Sequence, residues 1–241
     1  MKTLISGLRP APSLVRSLLA GLALFSATAH AARPLLTDDA AVIEADTCQI
    51  EAWIEGRRGD STRWLSPGCA LSRTTELAFG IGRGVAHDTP RRTELAWQLK
   101  TLLIEGDEGL PRLAFALGGG QARGLPAREW FATGIASLPL AERRRFLHLN
   151  LGLFREREDE AFQTGVRGAV ALDQSVGEAT WLSAEGFASE GERAGWQLGL
   201  RRELASGRVQ LDASAGSHFG RWNDTRHFSV GLVIAGLPFL R

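Results

Sequence analysis

Residues 147–153 read Leu147-His148-Leu149-Asn150-Leu151-Gly152-Leu153. Every second residue is leucine, and the residues between are polar or small. In an extended chain all the leucines share one face and His148, Asn150 and Gly152 share the other. A helix would scatter both classes around its axis. The same period of two recurs along the chain. Cys48, Ile50, Ala52 and Ile54 alternate with Gln49, Glu51, Trp53 and Glu55; Leu77, Phe79 and Ile81 alternate with Ala78, Gly80 and Gly82. Leu95, Trp97 and Leu99 oppose Glu94, Ala96, Gln98 and Lys100; Leu113, Phe115 and Leu117 oppose Ala114, Ala116 and Gly118. Phe162, Val166 and Val170 oppose Arg167 and its neighbours. Further segments start at Trp196, Val209 and Phe228. Stretches 61–71, 129–138 and 178–188 look extended but show no clean apolar face. Charged or Gly/Pro-rich connections separate these segments. The pattern predicts about twelve antiparallel strands in one domain.

The chain opens differently. Residues 1–16 carry Lys2, Arg9 and Arg16 and no acid; the apolar run 18–25 follows, and then Ala29-His30-Ala31. That order is the pattern of a secretory signal cut after Ala31, and the apolar run is too short to span a bilayer as a helix. The expected divisions are a signal peptide at 1–31, a periplasmic or lumenal N-terminal segment at 32–46, and strands over 47–241. Without the leader the formal net charge moves from +1 to −2, and Lys100 is the only lysine left. This balance argues against a nucleic-acid partner.

A soluble β-sandwich also alternates, with its apolar face inside. Two features favour a closed barrel with its apolar face on lipid. The polar face is rich in small residues, among them Gly80, Gly82, Ala114, Ala116, Gly118 and Gly165. The apolar face is dominated by leucine, with Trp and Phe near strand ends. The fold class expected is therefore all-β, an antiparallel transmembrane β-barrel of about twelve strands following a cleaved signal. Its location would be the cell outer membrane of a Gram-negative bacterium, after export through the periplasm. Outer-membrane lipids and the barrel-assembly machinery would be its partners.

Cys48 and Cys69 are the only cysteines. A hairpin turning at Arg58-Gly59 sets them directly opposite each other, so an oxidising compartment would join them. Arg58-Gly59-Asp60 reads as turn chemistry rather than a recognition tripeptide. Gly80, Gly82 and Gly84 lack the spacing of a dinucleotide fingerprint. Cofactor, metal and catalytic residues are not expected; His218 and His227 flank a predicted loop and, with Asp224 inside it, are a weak metal candidate. The residues expected to line the lumen are Glu51, Glu94, Gln98, Phe146, His148, Asn150, Arg167, Arg201 and Asp212. The small inward residues would leave volume for a narrow passage, with Phe146 as the large side chain to remove in order to widen it.

The run Arg33-Pro34-Leu35-Leu36-Thr37-Asp38-Asp39-Ala40, then Gln49-x-Glu51, then His148-Leu149-Asn150-Leu151-Gly152, resembles a bacterial outer-membrane family. That family is labelled for the meta-pathway of phenol degradation and is treated as porin-like. The resemblance implies a barrel of this size and passage of hydrophobic or aromatic compounds. Many such barrels end on an aromatic residue, whereas this chain ends Phe239-Leu240-Arg241. The leading expectation is a narrow channel or transporter for small molecules and not an enzyme. The alternatives are a structural or interaction barrel with a filled lumen, an outer-membrane lipid-modifying enzyme, and a soluble periplasmic ligand binder.

Overall fold

The computed structural model describes residues 35–86, 89–106, 110–123, 128–140, 144–158 and 161–239. The expected signal peptide, and Arg33 and Pro34 of the family-like run, lie outside the described residues. The first six strands are β1 Thr47–Arg57, β2 Asp60–Ala70, β3 Thr75–Ala86, β4 Thr89–Ile104, β5 Arg112–Arg123 and β6 Arg128–Leu140. The other six are β7 Arg145–Glu158, β8 Ala161–Ser175, β9 Thr180–Ser189, β10 Gly195–Leu204, β11 Val209–His218 and β12 His227–Pro238. One short helix, α1 Trp222–Thr225, lies between β11 and β12.

Each strand pairs antiparallel with its sequence neighbours, and β1 pairs with β12, so the sheet closes without an edge. The expected twelve-stranded antiparallel barrel is the observed one. Closure satisfies the backbone groups that an open sheet would expose to lipid. Thr47 pairs with Pro238, so the barrel begins and ends at one rim, called here the terminal rim. The Arg58-Gly59 turn lies at the opposite, far rim, with Gly59 at φ 77°, which a glycine adopts without strain. The register of that hairpin places Cys48 opposite Cys69, and the two are joined as a disulfide.

The leucine faces point outward. Leu151 is 68% exposed and Leu153 58%, with Phe79, Leu198 and Val230 similarly open. A continuous apolar surface of this kind requires lipid around it, and this is the architecture of an outer-membrane barrel. The outward indoles gather toward the far rim: Trp97 meets Trp130 edge-on, and Trp196 stacks on Trp222 of α1. Trp and Phe thus supply the interfacial aromatics in a chain without tyrosine.

The three stretches without a clean apolar face are now oriented. Thr62, Trp64 and Ser66 face inward from β2, Glu129, Ile135 and Ser137 from β6, and Ser183 and Glu185 from β9. Their alternation is blurred because aromatic rings occupy inward positions. Those rings also correct the reading of the small residues. A Cβ on Gly82 would lie 2.8 Å from Trp64, and one on Gly165 would lie 2.7 Å from Phe154. A Cβ on Gly118 would overlap Phe131. Ala114 and Ala116 pack with Ile135 against Ala40 of the N-terminal segment. The small residues therefore accommodate cross-strand rings and a stretch of chain, and do not leave an empty bore.

Candidate functional site: a lumen divided by the N-terminal segment

Residues 35–43 form a strap inside the barrel. The strap has no strand beside it, so its amides must bond to side chains or remain buried and unmatched. Inward residues of four strands supply the partners. Glu185 Oε2 accepts from the amides of Leu36 (2.8 Å) and Thr37 (3.1 Å). Asn150 acts as a substitute peptide: its Oδ1 accepts from Asp38 N (2.8 Å), and its Nδ2 donates to Asp38 O (2.9 Å). Ser137 Oγ accepts from Ala40 N (2.8 Å), and Glu76 Oε2 accepts from Ile43 N (2.6 Å).

Asp38 is the strap's charged anchor. Lys100 Nζ donates to its Oδ1 at 3.1 Å, and Gln98 Nε2 donates to its Oδ2 at 3.0 Å. Lys100 also pairs with Glu76 at 3.3 Å and donates to Asp39 O. Lys100, the only lysine among the described residues, thus bridges a strap carboxylate and a wall carboxylate. Burial lifts the Asp38 carboxyl from its usual 3.8 to about 6; Lys100 pulls it down, and Asp39 and Glu76 push it up.

Below the strap a polar chain runs toward the terminal rim. Ser137 Oγ lies 2.8 Å from His148 Nδ1, and His148 Nε2 lies 3.8 Å from Asp173, which Arg201 also approaches at 3.8 Å. Serine, histidine and aspartate in this order are the components of a nucleophilic triad. Here the hydroxyl accepts the Ala40 N–H, so it lies in the plane of that amide and not above a carbonyl carbon. Its observed role is to hold the strap.

The strap separates two cavities. The larger, about 330 Å³, reaches the far rim and is bordered by Leu35 and Leu36. The smaller, about 180 Å³, lies on the side of the terminal rim and is bordered by Ala41, Val42, Glu76 and Lys100. Asp38 borders both. The upper wall combines rings with ion pairs. Trp53 and Trp64 stack at 5.5 Å, and Trp64 Nε1 donates to Glu55 at 3.0 Å. Arg92 pairs with Asp60 at 3.1 Å and with Glu94. Arg167 pairs with Glu129 and lies 4.6 Å from the centre of the Phe154 ring. His227 Nε2 meets Gln197 Oε1 at 2.8 Å.

The nine residues expected at the lumen fall into three groups. Gln98 and Asn150 bind the strap. Glu51, Glu94 and Arg167 border the larger cavity, with Glu51 accepting from Gln49 at 2.8 Å. The rest lie toward the terminal rim: Arg201 borders the smaller cavity, and Asp212 is its cross-strand partner. Phe146 stacks on His148, meets Trp181 at a tilt of 46° and borders neither cavity. Of the weak metal candidates, Asp224 pairs with Arg221, and His227 is turned to Gln197. Sequence reading missed Glu76, Ser137 and Glu185 as strap ligands. The available signal was the lone Lys100, which lies opposite Glu76 across β3 and β4, together with the Asp38-Asp39 pair just ahead of the first strand.

Solved structures share this fold at very low identity. The KdgM porin in complex with disordered oligogalacturonate superposes with a TM-score of 0.64 at 8% identity, over 78% of this chain and 99% of that one. The NanC porin gives 0.60 at 5% identity, over 79% of this chain and 100% of that one. These likenesses carry the porin-like barrel and not the phenol-degradation label. No curated protein matches the chain. A family model described as "Uncharacterised conserved protein UCP029691" matches residues 20–235, and the chain belongs to that family.

Proposed function

We propose that the barrel is a narrow outer-membrane channel for small molecules, kept closed at rest by its own N-terminal strap. The observation that carries this reading is the pair of cavities, about 330 and 180 Å³, which among the described residues have only Asp38 as a common border. One rim opens into a pocket of drug-like size with rings and placed polar groups, the usual character of a small-molecule site. Twelve strands enclose too little space for a wide aqueous pore. Passage then requires the strap to shift, which exchanges its side-chain bonds for bonds to water.

A second reading is a filled structural barrel, favoured by the density of bonds that hold the strap. Planar-bilayer recording separates the two. Wild type should show small or rare openings, and deletion of residues 35–43 should give a steady, larger conductance. Silence in both, from protein whose folding is verified by heat-modifiable gel migration, would overturn the channel and leave the filled barrel.

A further inference from the structure

We propose that the larger cavity binds an organic cation with an aromatic or alkyl body. This deepens the channel reading by naming the chemical class its pocket would accept, and it rests on that reading for its place on the route. Three observations carry it.

The first is charge. Among the described residues, the wall of the larger cavity holds nine acidic side chains against three arginines. Low-dielectric barrel walls concentrate that field and raise the local concentration of cations. The second is an unmatched atom. Glu129 is 5% exposed, and one of its oxygens takes Arg167. Its other oxygen, Oε2, is buried on the cavity wall without a hydrogen-bond partner among the described residues. A buried carboxylate oxygen left unsatisfied costs free energy that an incoming donor recovers.

The third is the aromatic surface. Trp53, Trp64, Phe131, Phe154 and Phe187 all border the same space. The chain already displays the matching chemistry with one of its own groups: the Arg167 guanidinium sits over Phe154 while it pairs with Glu129. A ligand ammonium or guanidinium would find the same combination of ring face and carboxylate, and its apolar body would meet the indoles. A neutral aromatic could at most donate to Glu129 Oε2 without the attraction of the acidic wall, and an anion would meet repulsion from most of that wall.

The test uses three probes of nearly equal size: benzylammonium, benzyl alcohol and phenylacetate. Each is titrated calorimetrically into the disulfide-bonded barrel in non-ionic detergent, with tryptophan emission read in parallel. Benzylammonium should bind saturably, about tenfold or more tighter than either of the others. Glu129→Gln keeps the shape and removes the charge, and it should weaken benzylammonium about tenfold while leaving benzyl alcohol unchanged. Glu51→Gln should give the same direction, and it decides the matter if Glu129→Gln fails to fold. Phenylacetate or benzyl alcohol binding as tightly as benzylammonium would overturn the proposal, as would variants that leave benzylammonium binding unchanged. Titration reads the closed barrel and needs no conduction. Selective cation binding without conductance in the strap deletion would therefore retire the channel and keep the site, and conductance without selective binding would do the reverse.

Discussion

The two halves of the lumen are built from the same alternating strands and are filled by different means. Toward the terminal rim the filling is backbone: a strap whose amides are held by Glu76, Ser137, Asn150 and Glu185. Toward the far rim the filling is side chain: rings laid over glycines, with ion pairs between them and a cavity left in the middle. Backbone filling satisfies its polar groups in one fixed arrangement. Ring filling needs only contact, so it can leave a space of a chosen shape. One barrel thus combines a specific closure with a tolerant pocket.

The comparison breaks hardest at Lys100. Lys100→Met leaves the Asp38 and Glu76 carboxylates buried beside each other without their cation. Removing one partner of a buried ion pair costs about 3–5 kcal/mol. Strap release is the cheapest relief, so limited proteolysis near residues 38–42 should accelerate and bilayer conductance should rise. Emission from the Trp53–Trp64 pair should hardly move if the halves are independent. A variant that shifts that emission as much as the strap's proteolysis would show that they are coupled.

Reduction of Cys48–Cys69 comes next. The bridge closes a loop across a sequence separation of 21, for which the chain-entropy model gives about 3 kcal/mol. It lies on the outer face and restrains the unfolded chain, so the denaturation midpoint should fall while strap proteolysis of the folded barrel stays constant. Thiol titration of protein isolated without reductant should find no free thiol.

A smaller effect tests the ring-filled half. In Gly82→Val the new side chain meets Trp64, and overpacking of this kind costs roughly 1–3 kcal/mol. Tryptophan emission should shift, with the strap unaffected. Gly186→Ala is the control: its Cβ would meet only Val170 at 3.9 Å, and stability should stay near wild type.

The smallest effect is pH. The Asp38 carboxyl is raised from 3.8 to about 6 when the strap is docked, so docking takes up a proton between those values. The stability this gives is fully present below pH 3.8 and is lost as pH rises through about 6. Lys100, Glu76 and Asp39 face the group, and Lys100 keeps Glu76 as a partner when Asp38 is neutral, which limits the effect. Strap proteolysis should be slower at pH 4.5 than at pH 7, and Asp38→Asn should flatten that slope. An unchanged slope in the variant would assign it to other groups.

The barrel was legible because its signal is repeated. Alternation in Leu147–Leu153, and in segment after segment like it, sets an outward face that no single exception can hide. The Cys48–Cys69 pair was legible for a related reason, since a two-residue turn fixes the whole register of its hairpin. The divided lumen was not legible. Alternation says which residues point inward and is silent about what they meet there. Gly82 and Gly118 look like open space until Trp64 and Phe131 are seen lying across them. Asn150 looks like a lumen-wall amide, yet it serves as a stand-in strand for Asp38. Contacts between residues 112 positions apart leave no local period to read.

The direction of the strap has a consequence for the order of biogenesis. It leaves β1 at Thr47 beside the terminal rim and climbs, so Leu35 is the end directed into the larger cavity. A leader cut after Ala31, as the sequence predicts, would begin only a few residues beyond that point. While such a leader held the chain at the inner membrane, Leu35 would be kept from its place deep in the lumen. On the expectation of such a leader, its removal would come before the lumen is filled, and a cleavage-blocked precursor that still inserts should arrive as an unstoppered barrel. On the expectation of such a cut, small solutes should leak through that precursor but not through the cleaved form, and the timing of one proteolytic event would then decide when the barrel is sealed.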